Sequence, residues 1–229
     1  TPAAVRPTVA TALDTLSGVD RGASLRAMAA VASRPAVAGA PGTIVWVTGE
    51  IADRLGGAEV EASLLDGGGQ VVATAHRVLP AGTTAALLSL SPTTALAAGE
   101  YSVRLVARGP TRTETATLAV QVPERGDWSG VVFYRSGPAS ANRDVVTADR
   151  RYRRTERLRL DAPSTEPLTA RLLDRLGNPF RIPVVLGTRT DAEGSWVTAS
   201  VTLAPLAPGD YVVDLTGGTT RTFGFRVIP

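Results

Sequence analysis

His76 is the single histidine of the 229-residue chain, and cysteine is absent. A thiolate nucleophile, a disulfide and a metal site built on two imidazoles are therefore excluded. A Ser-His-Asp arrangement would have to run through His76, which sits between Ala75 and Arg77 with no carboxylate beside it in sequence. A catalytic imidazole needs a partner that orients its ring. A histidine in an alternating stretch without one reads as an ordinary strand residue. No G-x-S-x-G, no H-E-x-x-H and no glycine-rich phosphate loop occurs, and all 24 basic residues are Arg, with no Lys. The residues predict a protein that is not an enzyme and carries no cofactor.

The acidic turns Asp66-Gly67 and Asp191-Ala-Glu193-Gly194 are the remaining metal candidates. Calcium takes six to eight oxygens, more than either turn supplies. Asp and Gly are favoured in turns for backbone reasons alone, and turn chemistry is the expectation here. Trp46, Trp128 and Trp196 would form a sugar-binding platform if exposed on one face. Packing in a core or between domains is the alternative, and their positions do not correspond between the two halves of the chain.

The densest charge lies in Asp149-Arg-Arg-Tyr152-Arg153-Arg154-Thr-Glu156-Arg157-Leu-Arg159-Leu160. Leu158 and Leu160 alternate with Arg157 and Arg159, so a strand here would turn guanidinium groups outward. Arg153, Arg154, Arg157 and Arg159 are the candidate partner-binding residues, for an anionic polysaccharide, lipid headgroups or an acidic protein patch. A solvated strand face, or salt bridges at a domain junction, would use the same residues. Only Tyr152 interleaves with the arginines, too little aromatic surface for single-stranded nucleic acid.

Net charge is +3, all of it in residues 124–229, too small for a nucleic-acid-binding signature. Arg without Lys fits either bidentate anion recognition or the codon usage of a GC-rich genome, which also accounts for the abundant Ala. No apolar run approaches the ~20 residues of a membrane-spanning helix. The chain begins at Thr1, which predicts a processed protein or part of a longer one.

Residues 1–23 are predicted to form an N-terminal helix and linker arm, because Val9, Leu13 and Leu16 have helical spacing and Gly18 follows where a helix would stop. The apolar period then shifts to two. Strands are predicted over 26–32, 43–50, 59–65, 70–78, 85–90, 99–107 and 113–122, with turn residues between them. A second set follows the polar Pro123–Asp127 linker, over 130–134, 155–161, 168–173, 180–187, 195–203, 209–215 and 222–228.

The two sets are copies. Leu96-Ala-Ala-Gly99-Glu-Tyr101-Ser-Val103-Arg-Leu105 returns as Leu206-Ala-Pro-Gly209-Asp-Tyr211-Val-Val213-Asp-Leu215, and Ala62-Ser-Leu-Leu-Asp66 returns as Ala170-Arg-Leu-Leu-Asp174. A duplication of about this length means two small domains, here 24–123 and 128–229. A glycine turn leading into Tyr, then inward residues at every second position, resembles the tyrosine corner of immunoglobulin-like sandwiches. Gly99, Tyr101, Gly209 and Tyr211 are assigned that structural role, with Val212 and Asp214 facing water. The fold class is all-β: two consecutive immunoglobulin or fibronectin-III-like sandwiches with a short N-terminal helix or arm.

On Ile44-Val-Trp46-Val-Thr-Gly49-Glu50, Ala62–Asp66 and Arg153–Arg159 the chain resembles the C-terminal accessory region of bacterial secreted proteins related to the von Willebrand factor A-type domain. The resemblance implies an extracellular or cell-envelope location. The metal-dependent adhesion motif of that family, D-x-S-x-S, is missing, so it carries over no ligand or metal. The expected function is a non-catalytic structural or interaction module with a protein partner or self-association. A filament subunit assembling through the N-terminal arm, and a carbohydrate-binding module, are the alternatives.

Overall fold

The computed structural model describes residues 9–16, 22–33, 42–51, 58–124, 130–164, 168–217 and 220–229. Asp127, Trp128 and residues 1–8 and 17–21 of the predicted arm lie outside them. The chain forms two β-sandwiches and one short helix, α1 (Val9–Asp14). The first sandwich holds β1 (Leu25–Ser33), β2 (Thr43–Ile51), β3 (Glu59–Leu65), β4 (Val71–Val78), β5 (Ala85–Leu90), β6 (Gly99–Arg108) and β7 (Thr113–Val122). Its sheets are β1-β2-β5 and β4-β3-β6-β7. Their facing residues, among them Val45, Val47 and Leu88 against Leu64, Val103 and Leu105, make one aliphatic core.

The second sandwich holds β8 (Val132–Ser136), β9 (Val145–Val146), β10 (Arg151–Arg153), β11 (Arg157–Pro163), β12 (Thr169–Asp174), β13 (Val185–Asp191), β14 (Gly194–Thr202), β15 (Gly209–Thr216) and β16 (Thr220–Ile228). Its sheets are β13-β14-β11-β8-β9 and β10-β16-β15-β12. The copies differ in their fourth strand. β4 pairs with β3, whereas β13 pairs with β14 across the hairpin Asp191–Gly194. The second sandwich thus follows the constant-type immunoglobulin arrangement of first, second, fifth and fourth strands in one sheet, and the first follows the fibronectin-III-like variant.

β13 also begins later than the sequence predicted. Pro183 has no N–H to give a ladder, and Phe180 instead donates its N–H to the Leu172 carbonyl. The two-residue strand β9 and the three-residue β10, which joins β16 in parallel, were not anticipated. Both are too short to show a period.

The duplicated turns are alike in detail. One Asp66 carboxylate oxygen accepts the N–H groups of Gly68 and Gln70, each at 2.9 Å. Asp174 does the same for Leu176 and Asn178 at 2.8 Å. These carboxylates are occupied by their own backbone. The Tyr101 hydroxyl donates to the Ala97 carbonyl at 3.1 Å, and that of Tyr211 to Ala207 at 2.9 Å. Gly99 and Gly209 have φ of 149° and 158°, a region L side chains rarely enter, and they set the turn two residues before each Tyr.

Tyr211→Phe should therefore cost ~1–3 kcal/mol by orphaning the Ala207 carbonyl. Tyr152 is the control: it is wholly buried and its hydroxyl has no hydrogen-bond partner among the described residues. Tyr152→Phe should leave stability unchanged or raised, because it removes a buried group that gains nothing. Urea midpoints of the two variants, measured side by side, check both outcomes.

Val212 and Asp214 do not face water as expected. Val212 is fully buried beneath α1, in a cluster with Ala12 and Leu173. Asp214, 2% exposed, accepts Arg171 Nε at 2.7 Å. The helix lies so close that a Cβ on Gly224 would overlap the Ala12 carbonyl. Arg150 donates a further hydrogen bond to the Thr15 carbonyl at the helix end. Gly224→Val should lift α1 from its seat and cost ~1.5–3 kcal/mol, the burial of about one aliphatic side chain. Faster proteolytic cutting near residue 16, with the rest of the chain intact, is the expected readout.

Candidate functional site

The structure divides the four candidate arginines. Arg153, Arg154 and Arg157 are exposed around the β10–β11 turn, whereas Arg159 is half-buried. Arg154 Nη2 donates to the Ala204 carbonyl at 2.6 Å, and the Arg153 backbone N–H to Glu156 at the same distance. Arg159 is not available to a partner. Its guanidinium meets Asp161 at 2.7 and 2.8 Å and Asp144 at 2.6 Å, and lies 5.0 Å from the Tyr134 ring centre. Asp161 is fully buried and accepts Arg189 Nε as well, at 2.7 Å. Tyr152 offers no stacking surface, since it is inside the core with the Arg135 guanidinium over its ring.

The outer face of the sheet that carries Arg159 packs in part against β2 of the other sandwich. Along β2, Val45, Val47 and Ile51 enter the first core, while Ile44 and Trp46 point the opposite way and are equally buried. Trp46 meets Trp196 of β14 with ring centres 4.5 Å apart. The two tryptophans are each 2% exposed and form no open platform. Both carry polar handles that are satisfied: Trp196 Nε1 donates to Asp191 at 3.0 Å, and Trp46 Nε1 to Glu193 at 3.1 Å. Glu193 also accepts the Ser89 hydroxyl.

A second carboxylate crosses in the other direction. Glu50 Oε2 accepts the Thr147 hydroxyl at 2.9 Å and the Ala148 and Asp149 N–H groups at 3.2 Å. Arg26 stands 3.6 Å from both Glu50 and Asp149. Burial alone would raise the Asp149 pKa, but the hydrogen bonds and charge of Arg151 outweigh it and hold the group below the ordinary aspartate range. Asp191 is held low in the same manner by Trp196 and Arg189 against the pull of burial.

These contacts fix how the sheets cross. Trp46 lies against β14, whereas Glu50, four residues on or ~13 Å along the strand, bonds the segment after β9. β14 and β9 stand three strand spacings apart, ~14 Å. β2 therefore runs across the facing strands, an orthogonal packing of two sheets. Close approach at its margin requires Gly130, where a Cβ would overlap the Val31 carbonyl.

His76 is exposed on β4. Its cross-strand neighbour is Glu61, a carboxylate the linear sequence did not place beside it. That carboxylate is engaged by Arg108 at 2.8 Å. Among the described residues no group of three or more metal-ligating side chains converges, and no helix is long and apolar enough to cross a membrane.

Glu50, Asp144 and Asp161 were not singled out from the sequence as site residues, and Glu193 was read only as part of an acidic turn. One signal was available: Thr43–Thr48 has no polar alternation, the mark of a strand covered on both faces. What covered it was not readable.

No protein-family model and no curated protein matches the chain. Among solved structures, a crystal structure of bovine butyrophilin is similar over 88% of this chain and 99% of that one, at 14% identity and a TM-score of 0.28. The fold assignment rests on the strand pairing described above. The protein is a tandem of immunoglobulin-like sandwiches packed sheet against sheet.

Proposed function

We propose that the chain is a non-catalytic structural and interaction module that works outside the cytoplasm, secreted or in the cell envelope, and binds a protein or an acidic polysaccharide. The observation that carries this reading is the junction. Two tryptophans in contact and two carboxylates exchanged between domains hold two sandwiches as one body, a form suited to presenting a fixed surface. His76 supports the absence of catalysis, because its strand-neighbour carboxylate is taken by Arg108. The extracytoplasmic setting rests on the sequence resemblance.

Filament assembly through the N-terminal arm is not favoured, since the described part of that arm is seated on its own second sandwich. A tryptophan sugar platform is not favoured either, with Trp46 and Trp196 inside the junction.

The test has two parts. The tagged full-length reading frame, expressed in its own cells and fractionated, should appear in the envelope or medium; retention in the cytosol overturns the setting. The purified chain, screened against acidic polysaccharides and envelope proteins, should bind without altering what it binds. Turnover that disappears in His76→Ala overturns the non-catalytic assignment.

A further inference from the structure

A small polar pocket opens beside the β10–β11 turn, ~250 Å³ in volume, lined by Ser136, Asn142, Arg154, Thr155, Arg157 and Thr202 together with Glu156 and Ala204. Three of these residues are placed by strand register. Arg157 pairs with Thr202 on one side and with Ser136 on the other, so the three side chains stand in a row across β8, β11 and β14. Ser136 is 8% exposed and forms part of the floor. Arg154 is held at the wall by its bond to the Ala204 carbonyl.

Asn142 enters through an unusual piece of backbone. Ala141 and Asn142 have φ of 50° and 58°, two consecutive non-glycine residues in the left-handed region. Strained backbone of this kind gathers where a side chain has to be aimed. The acidic residue of the lining offsets only one of its two guanidinium charges, and it is turned toward other partners. Glu156 is committed to the Arg153 N–H and lies 3.8 Å from Arg135.

We propose that this pocket binds one anionic sugar unit, carboxylated or sulfated, of an acidic polysaccharide. Two guanidinium groups match an oxyanion in the bidentate manner. The hydroxyls of Ser136, Thr155 and Thr202 and the Asn142 amide match ring hydroxyls, which both donate and accept. The volume lies below the ~300–1,000 Å³ of pockets for drug-sized ligands, which suits a single unit. No aromatic side chain is among the described lining residues, so a nucleobase has nothing to stack on. The inference rests on the interaction-module reading and names its ligand class and residues.

The test uses the intact chain and calorimetric titration with oligogalacturonate, dextran sulfate, neutral dextran, inorganic sulfate and a single-stranded oligonucleotide. One or both acidic saccharides should bind saturably, with affinity falling as salt rises, and neutral dextran should not bind. Arg154→Ser and Arg157→Ser should each raise Kd at least tenfold, and Ser136→Ala two- to fivefold. Arg153→Ser removes the same charge from a neighbouring position that does not line the pocket, and should change Kd less than twofold.

Equal losses in Arg153→Ser and Arg154→Ser would mean a diffuse basic surface and overturn the pocket. Inorganic sulfate or the oligonucleotide binding as tightly as the saccharides would overturn the sugar assignment. No saccharide binding, in a chain that still captures an envelope protein without turnover, ends this proposal and leaves the module reading standing.

Discussion

Asp161→Ala should destabilise the chain by ~3–5 kcal/mol, the range for removing one partner of a buried ion pair. Asp161 is fully buried, and three guanidinium nitrogens, two from Arg159 and one from Arg189, lie within 2.8 Å of its oxygens. Removing the carboxylate leaves two half-buried cations beside each other at the edge of the junction, each with only its more exposed carboxylate, Asp144 or Asp191, as a partner. Replacing the whole triad at once, with Asp161→Leu, Arg159→Met and Arg189→Met in one chain, should recover much of the loss. A buried ion triad contributes little beyond a well-packed apolar substitute. Urea unfolding of the single and triple variants checks the difference, and equal losses would show that packing dominates over charge.

Trp196→Ala should cost a similar ~3–5 kcal/mol, with a different signature. The ring is packed on Trp46 and lies 4.3 Å from the Arg189 guanidinium, and its Nε1 is bonded to Asp191. Without it Trp46 loses its partner across the junction, while each sandwich keeps its own core. The single unfolding transition expected of the native chain should split into two, and fluorescence quenching of Trp46 should increase. One cooperative transition at a lowered midpoint would instead mean that the polar contacts of Glu50 and Glu193 are enough to couple the domains.

The elements legible in the sequence were those with a clean local cause. Strands such as Glu59–Leu65 and Thr113–Val122 show an alternating face and end at turn residues, and they occur with the predicted limits. Both Tyr turns are local as well, each closed by a bond to a carbonyl four residues upstream. What failed depended on partners far along the chain. Arg159 and Arg157 are indistinguishable in their local pattern, yet one is consumed by Asp144 and Asp161 while the other lines an open pocket. Val212 occupies a position where alternation predicts a solvent-facing residue, and is buried only because a helix from the other end of the chain covers it. Glu193 looks like an ordinary turn residue until its reach to Trp46 and Ser89 is seen. Alternation records which face of a strand is apolar; it does not say which neighbour is responsible.

The seat of α1 carries a consequence for the order of events on the ribosome. Val9, Ala12 and Leu13 leave the exit tunnel before any strand, but their receptor is made by β12, β15 and β16, the last of which is the final strand of this sequence. At a synthesis rate of ~5–20 residues per second, the interval between the helix and its receptor is roughly 10–40 s. The first sandwich has time to close during that delay, and the second cannot bury Val212 beneath α1 until β12, β15 and β16 have been made. Within this segment, α1 can thus dock only after both sandwiches have been made. Until then a short apolar stretch stays available to chaperones and proteases, so that access to it distinguishes a seated helix from an unseated one.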